Sequence, residues 1–362
     1  MKYSKTIKIA GAGISGLTAA INLAKAGYKV EVYEKNEISG KRFHGDLQGI
    51  ENWSFGQDAL DFLGEVNIKT NFDYRGFRNV SLWGPGGFQK EIVLPTPAFY
   101  LVKRGIGKGC LDYGLQNQVS AYKNITIFYN QAVKPQDVDI VASGPFKQGS
   151  NVDGVVTGYI FKTNIEDQAV LILDDYYAID GYSYFLVCNN YGVIASCIFR
   201  NYKDSSLYRE RTLKLCKKYK RFGMEEVKQF GGTGNFFLGK IPPDKKIYIG
   251  EAGGVQDYLW GFGMRYALLT GYLAARSIIK KENYYDLFRR EILPRLRTSV
   301  VNRLIFKLFN RVNRKMFINK IVKAENPINF LGRFYSPSFL KDLIYPLARI
   351  IFWKNSQDPR KL

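Results

Sequence analysis

Six residues, Gly11-Ala-Gly13-Ile-Ser-Gly16, constrain this chain more tightly than any other segment. They follow Thr6–Ala10, which reads as a short buried strand. They open Leu17–Lys25, where Leu17, Ala20, Ile21 and Ala24 recur at helical spacing. Gly27 stands where a glycine ends a helix, and Lys29–Tyr33 reads as a second strand running into Glu34. A complete strand–helix–strand unit therefore fits into the first 34 residues.

The three glycines have different tasks. Gly11 permits the tight strand-to-helix turn, Gly13 leaves room for a diphosphate to approach backbone N–H groups, and Gly16 lets the helix pack closely on the strand. Unpaired N–H groups and the dipole at the helix start favour negative charge. Glu34 accepts hydrogen bonds from a ribose hydroxyl pair and repels a 2′-phosphate, which disfavours NADP at this place. The pattern predicts an adenine-dinucleotide site in a Rossmann-like α/β domain, with Lys35 beside Glu34 among the expected contacts.

Composition narrows the chemistry. His44 is the single histidine, so a two-histidine metal site is excluded and a Ser-His-Asp hydrolase is unattractive. Cys110, Cys188, Cys197 and Cys216 show no C-x-x-C spacing, which argues against a metal cluster and against a redox-active dithiol. No metal is expected. Met1–Ala10 carries no cleavage site of the signal-peptide kind, and a reducing cytosol is the expected compartment. The 53 Lys/Arg against 32 Asp/Glu leave a net charge of +21, which favours anionic partners.

A later segment points to a flavin. Lys246-Ile-Tyr-Ile-Gly250 reads as a buried strand followed by Glu251, glycines, and Gly261-Phe-Gly263-Met264 opening a helix that runs to Lys281. An acid there suits the ribityl or phosphate region, and a helix N-terminus suits charge developing on a reduced ring. FAD rather than NAD is the expected cofactor, with NAD(P)H or another reductant as electron donor. The expected architecture is a discontinuous FAD-binding domain (1–70, 100–145 and 235–283). An interleaved antiparallel-sheet substrate domain (71–99 and 146–234) and a basic helical carboxyl-terminal region (284–362) complete it.

The chain resembles the geranylgeranyl reductase family, within the flavoproteins related to aromatic-ring hydroxylases. The resemblance is carried by the amino-terminal unit, Tyr100-Leu-Val-Lys-Arg104, Gly181-Tyr-Ser-Tyr-Phe-Leu, and Gly250-Glu-Ala-Gly-Gly through Ala275. It implies flavin contacts at Ser15, Glu34, His44, Gly45, Arg104, Glu251, Gly263 and Met264. Glu251 stands where relatives carry Asp, and His44-Gly45 where they carry Cys-Gly. Ser143 replaces an Asp of the related hydroxylases, which speaks against a hydroxylase-style use of NADPH. His44 is open to two readings, a proton relay along the flavin or a loop contact by shape and hydrogen bond. Lys41 and Arg42 are likewise open, as diphosphate contacts or a solvated basic turn.

From Lys281 onward there are 18 Lys/Arg and 6 Asp/Glu. Val301, Leu304, Ile305, Leu308, Val312 and Met316 share one face of an expected helix, with Arg303, Lys307, Arg311 and Arg314 on another. Leu343–Trp353 is apolar but too short to span a bilayer. This region either docks on an anionic membrane or packs on the chain's own second domain, and nucleic-acid binding is a weaker third reading. The function expected from the resemblance is reduction of isoprenoid double bonds in a lipid or prenyl substrate. The alternatives are an FAD monooxygenase of an aromatic or polyketide substrate and a non-catalytic flavin-fold protein that binds anionic membrane or nucleic acid.

Overall fold

The computed structural model describes residues 5–145, 152–236 and 246–356, with side chains described as far as Phe352. Residues 1–4 of the segment read as lacking a signal peptide, and 146–151, 237–245 and 357–362 of the expected domains, lie outside the described residues.

Thr6–Ala10 sits at the centre of a five-stranded parallel sheet. Lys29–Tyr33 and Ile125–Phe128 lie to one side of it, Ile140–Val141 and Ile247–Tyr248 to the other. Side chains alternate across a strand. Ile7, Ile9, Val30 and Val32 are buried with Leu17, Leu115 and Leu268 of the covering helices, whereas Lys8 is exposed. The first helix runs Ile14–Lys25, three residues longer than its apolar spacing indicates, and all of Ile14–Ala24 is buried. The reason is a second helix, Met264–Lys280, laid against it. A Cβ on Gly271 of that helix would stand 2.4 Å from the Ser15 carbonyl oxygen.

The second sheet has seven strands, in the order Glu225–Gly234, Gly154–Lys162, Tyr191–Ile198, Tyr182–Cys188, Gln168–Ile172, Asn79–Gly84 and Phe88–Val93. Asn189 and Asn190 both adopt left-handed φ angles (51° and 63°) and form the tight turn of the central hairpin. The sheet is not wholly antiparallel, because Gln168–Ile172 pairs in parallel with Asn79–Gly84. Several strands and a helix lie between these two in the chain, so no hairpin links them. A small antiparallel sheet of Leu47–Glu51, Phe99–Lys103 and Tyr74–Phe77 stands apart from these two.

The carboxyl-terminal region corrects the single two-faced helix expected over Val301–Met316. Two helices, Leu293–Lys307 and Arg311–Lys323, meet at Asn310, whose backbone is extended and whose side chain accepts from the Asn313 N–H. Arg303 and Arg314, expected on a wet basic face, are buried instead. Arg303 donates to the Leu259 carbonyl at 3.1 Å and stacks 3.6 Å over Phe199, and burial pulls its pKa down to about 10. Arg314 pairs with Asp175 at 2.8 Å. A planar, weakly hydrated guanidinium tolerates such sites better than an ammonium.

Phe317, Ile318, Ile321 and Tyr335 join the core under the seven-stranded sheet, so part of this region does pack on the chain itself. The last helix, Phe339–Ser356, continues through Pro346 and packs Tyr345, Ala348 and Phe352 against Val300, Val301 and Leu304. No helix among the described residues is long and apolar enough to cross a membrane.

Candidate functional site

Strand order reverses on either side of Thr6–Ala10, and in open α/β sheets ligands bind beyond the carboxyl ends of the strands at such a place. A cavity of about 950 Å³ begins there. Gly11, Gly13, Ser15, Glu34, Lys35, Arg42 and His44 line it, and so do Arg104, Glu251, Gly263 and Met264 from distant parts of the chain. Gly16 and Gly45 do not.

Local geometry separates the three glycines. Gly11 has φ +103°, and a Cβ there would stand 2.3 Å from the Ala142 carbonyl oxygen. A Cβ on Gly16 would stand 2.0 Å from the Gly11 oxygen. Both glycines are therefore demanded by the fold itself. A Cβ on Gly13 would meet no protein atom within 4 Å, although this residue starts the helix and no side chain caps the N–H groups behind it. The space beside those N–H groups suits a diphosphate.

Glu34 is buried and held from three directions. One oxygen accepts from the Ala12 N–H at 2.9 Å, the other from the Asn36 N–H at 3.0 Å and its side-chain amide at 2.6 Å. A carboxylate offers about four acceptor positions, which leaves capacity for a ribose hydroxyl. Across the cavity the helix Met264–Lys280 also starts without a side-chain cap, at Gly263. Two residues expected to meet the cofactor meet each other: Arg42 is ion-paired with Glu251 and reaches the Thr233 carbonyl at 3.5 Å.

Arg104 is more constrained than the resemblance implies. Its guanidinium makes two 2.8 Å bonds to Asp112, donates to Gln48 at 3.2 Å and stacks 3.7 Å over Phe43. This bidentate pair is buried on both sides and anchors the loop beside the cavity. Asp112 was not among the residues singled out from sequence, since one acid in a helix carries no motif. His44 is exposed on the cavity wall, and its backbone N–H donates to Asp46 at 3.3 Å. Gly45 turns the chain there at φ +90°.

The far half of the cavity is apolar. Tyr182, Tyr184 and Leu186 alternate along one strand and face it, while Ser183 points the other way to Ser196 and Thr212. Phe230, Phe317 and Ile321 help to close it. The Tyr182 hydroxyl donates to the Trp260 carbonyl at 2.9 Å. Burial raises the Tyr182 and Tyr184 phenols well above their usual pKa and pushes the Cys197 thiol to about 12, so all three hold their protons near neutrality.

Asp257 shapes the loop between Glu251 and Gly263. Its N–H donates to the Phe262 carbonyl at 2.8 Å and its carboxyl accepts from the Trp260 N–H at 2.7 Å, which sets Trp260 and Phe262 at the cavity wall. The sequence singles out neither Asp257 nor, beyond the segment Gly181-Tyr-Ser-Tyr-Phe-Leu that carries the resemblance, a site role for the two tyrosines. The alternation of Tyr182 and Tyr184 was the available signal for the latter.

Residues 9–50 match the family of NAD(P)-binding Rossmann-like domains. Over 74 aligned residues the chain is 53% identical to a 1-hydroxycarotenoid 3,4-desaturase of Flavobacterium sp. (strain P99-3), a match spanning 18% of this chain and 15% of that relative's length. A geranylgeranyl bacteriochlorophyll reductase-like protein from Thermoplasma acidophilum superposes with a TM-score of 0.65 at 14% identity, covering 97% of this chain and 98% of the other. A flavin-dependent brominase superposes at 0.62 and 13%, covering 98% and 100%. The fold is that of the FAD-binding oxidoreductases. The crevice at the end of Thr6–Ala10 forms one side of the cavity and the seven-stranded sheet walls the other. Among the described residues no group of acids, cysteines and histidine is placed to hold a metal ion.

Proposed function

We propose that this chain is an FAD-dependent oxidoreductase that reduces isoprenoid double bonds, of the geranylgeranyl type, in a lipid or prenyl substrate. One observation carries the reading: a single cavity joins a polar half suited to a dinucleotide to an apolar half lined by aromatic and aliphatic side chains. Two of the similar proteins support it by name, one for a carotenoid and one for a geranylgeranyl group, both isoprenoids.

The N–H groups of Gly13 and Ser15 would hold the diphosphate, Gly11, whose own N–H donates to the Tyr33 carbonyl at 2.7 Å, would shape the turn, and Glu34 would take the ribose. Glu251, steadied by Arg42, together with Lys35 and His44, would complete the polar wall, and Gly45 turns the chain beside His44. The uncapped start of Met264–Lys280 lines the same cavity and would favour negative charge developing on a reduced ring. A reduced FAD held there would supply the hydride equivalent that one alkene carbon takes up. The apolar wall orients the chain and excludes water, and the second alkene carbon needs a proton. The Tyr182 hydroxyl is engaged with a carbonyl, whereas among the described residues no such bond holds Tyr184, so Tyr184 is assigned as the proton-bearing group.

The test is incubation of dithionite-reduced protein with geranylgeranyl lipids, read by mass spectrometry. The reading expects a gain of about two mass units per bond reduced. No gain across several prenyl lipids removes it. Substrate-stimulated NAD(P)H oxidation with oxygen uptake would replace it with a monooxygenase.

A further inference from the structure

The last helix carries an apolar face that nothing among the described residues covers. Phe339, Leu340, Leu343, Leu347 and Ile350 recur at helical spacing and are 52% to 85% exposed. The run extends over about 16 Å of helix. Charged neighbours are turned off it: the Lys341 ammonium donates to the Phe334 and Ser336 carbonyls, and Asp342 lies 3.9 Å from Arg297.

A second run, Leu308, Val312 and Met316, is 52% to 73% exposed. Just before this run, at the end of the helix Leu293–Lys307, the Lys307 ammonium lies 5.8 Å over the buried Phe352 ring of the last helix. On the helix Arg311–Lys323 this run is flanked by Arg311, Lys315 and Lys320. The opposite side of the same helix, Phe317 and Ile321, lines the apolar half of the cavity. Single exposed apolar residues are ordinary on a protein surface, but contiguous runs rimmed by charge mark an interaction site.

We propose that these two runs form one docking face for an anionic bilayer, with the apolar side chains entering the head-group boundary and the flanking cations meeting acidic lipid. Charge selects this occupant. The region from Lys281 on carries 18 Lys/Arg against 6 Asp/Glu, so a second copy would bring like charges together, whereas acidic lipid brings the opposite sign. The helix is amphipathic and not of spanning character, which suits a position in the plane of the interface. The face stands whichever substrate the cavity takes. If the substrate is a lipid, the helix lining the cavity on one side is in contact with the substrate's source on the other.

Co-sedimentation of the full chain with vesicles tests this. The protein should bind phosphatidylglycerol vesicles, bind phosphatidylcholine vesicles more weakly, and lose affinity as salt rises. Leu343→Glu with Leu347→Glu should weaken phosphatidylglycerol binding by about tenfold or more, with thermal midpoint and cofactor absorbance unchanged. Should that variant fold poorly, Lys315→Glu with Lys320→Glu should lower binding and flatten its salt dependence. Absence of vesicle binding by the parent protein overturns the proposal, as does equal binding by both variants. A parent dimer that the leucine variant turns into monomers, without vesicle binding, assigns the face to a second copy instead.

Discussion

Asp257 rests one carboxyl oxygen on the Trp260 N–H and the Tyr335 hydroxyl and leaves the other buried without a partner. Burial first, then the neighbouring Glu51, raises its pKa from 3.8 to about 7. The folded chain therefore binds this proton more tightly than the unfolded chain does. Stability should fall as pH rises from about 4, and the cost of the buried charge is borne in full above about 7. Asp257→Asn keeps an acceptor for Trp260 and cannot ionise. Thermal melts across pH 5 to 8 should show a decline of a few degrees in the parent protein and a flatter profile in the variant. Tyr184→Phe should leave bound flavin unchanged and lower turnover on a prenyl substrate by about 100-fold. Unchanged turnover moves the proton to another group. These residues were hard to see in sequence because burial gives them their properties, and burial is made by segments far apart. Gly11, Gly16 and Glu34 were legible because their constraints are local: a turn, a close helix, and the end of the next strand.

Helix packing sets the two N-termini that face the cavity. Gly271 lets Met264–Lys280 lie against Ile14–Lys25, and a Cβ there would also come within 3.0 Å of Thr18. Gly271→Ala must push the helices apart, costing about 1–3 kcal/mol of stability. Flavin affinity should fall with it, because both ends of the polar half move together. Denaturant unfolding and a cofactor titration would measure the two effects, and an unchanged affinity would separate them. The first helix was readable from its glycines and apolar spacing. The break at Asn310 was not, because Val301, Leu304, Leu308, Val312 and Met316 stay in helical phase across it. They diverge in space: Val301 and Leu304 turn inward, while Leu308, Val312 and Met316 face out. The capping residue Asn310 was the one local signal of the break.

At the scale of the molecule, one cavity gathers residues from the first turn at Gly11 to Leu331 in the carboxyl-terminal region. Its polar side is written in short motifs, and its apolar side is assembled from strands and helices that share no motif. The proposed cofactor site places a diphosphate where Gly13 has no side chain. A Cβ there touches no protein atom, and φ is −83°, so Gly13→Ala should melt within about 2 °C of the parent protein. The most direct measurement is the visible absorption spectrum of both purified proteins after incubation with FAD and gel filtration. The parent should carry flavin bands near one cofactor per chain, and folded Gly13→Ala should be nearly colourless. A colourless parent, or a variant that keeps as much flavin, contradicts the account.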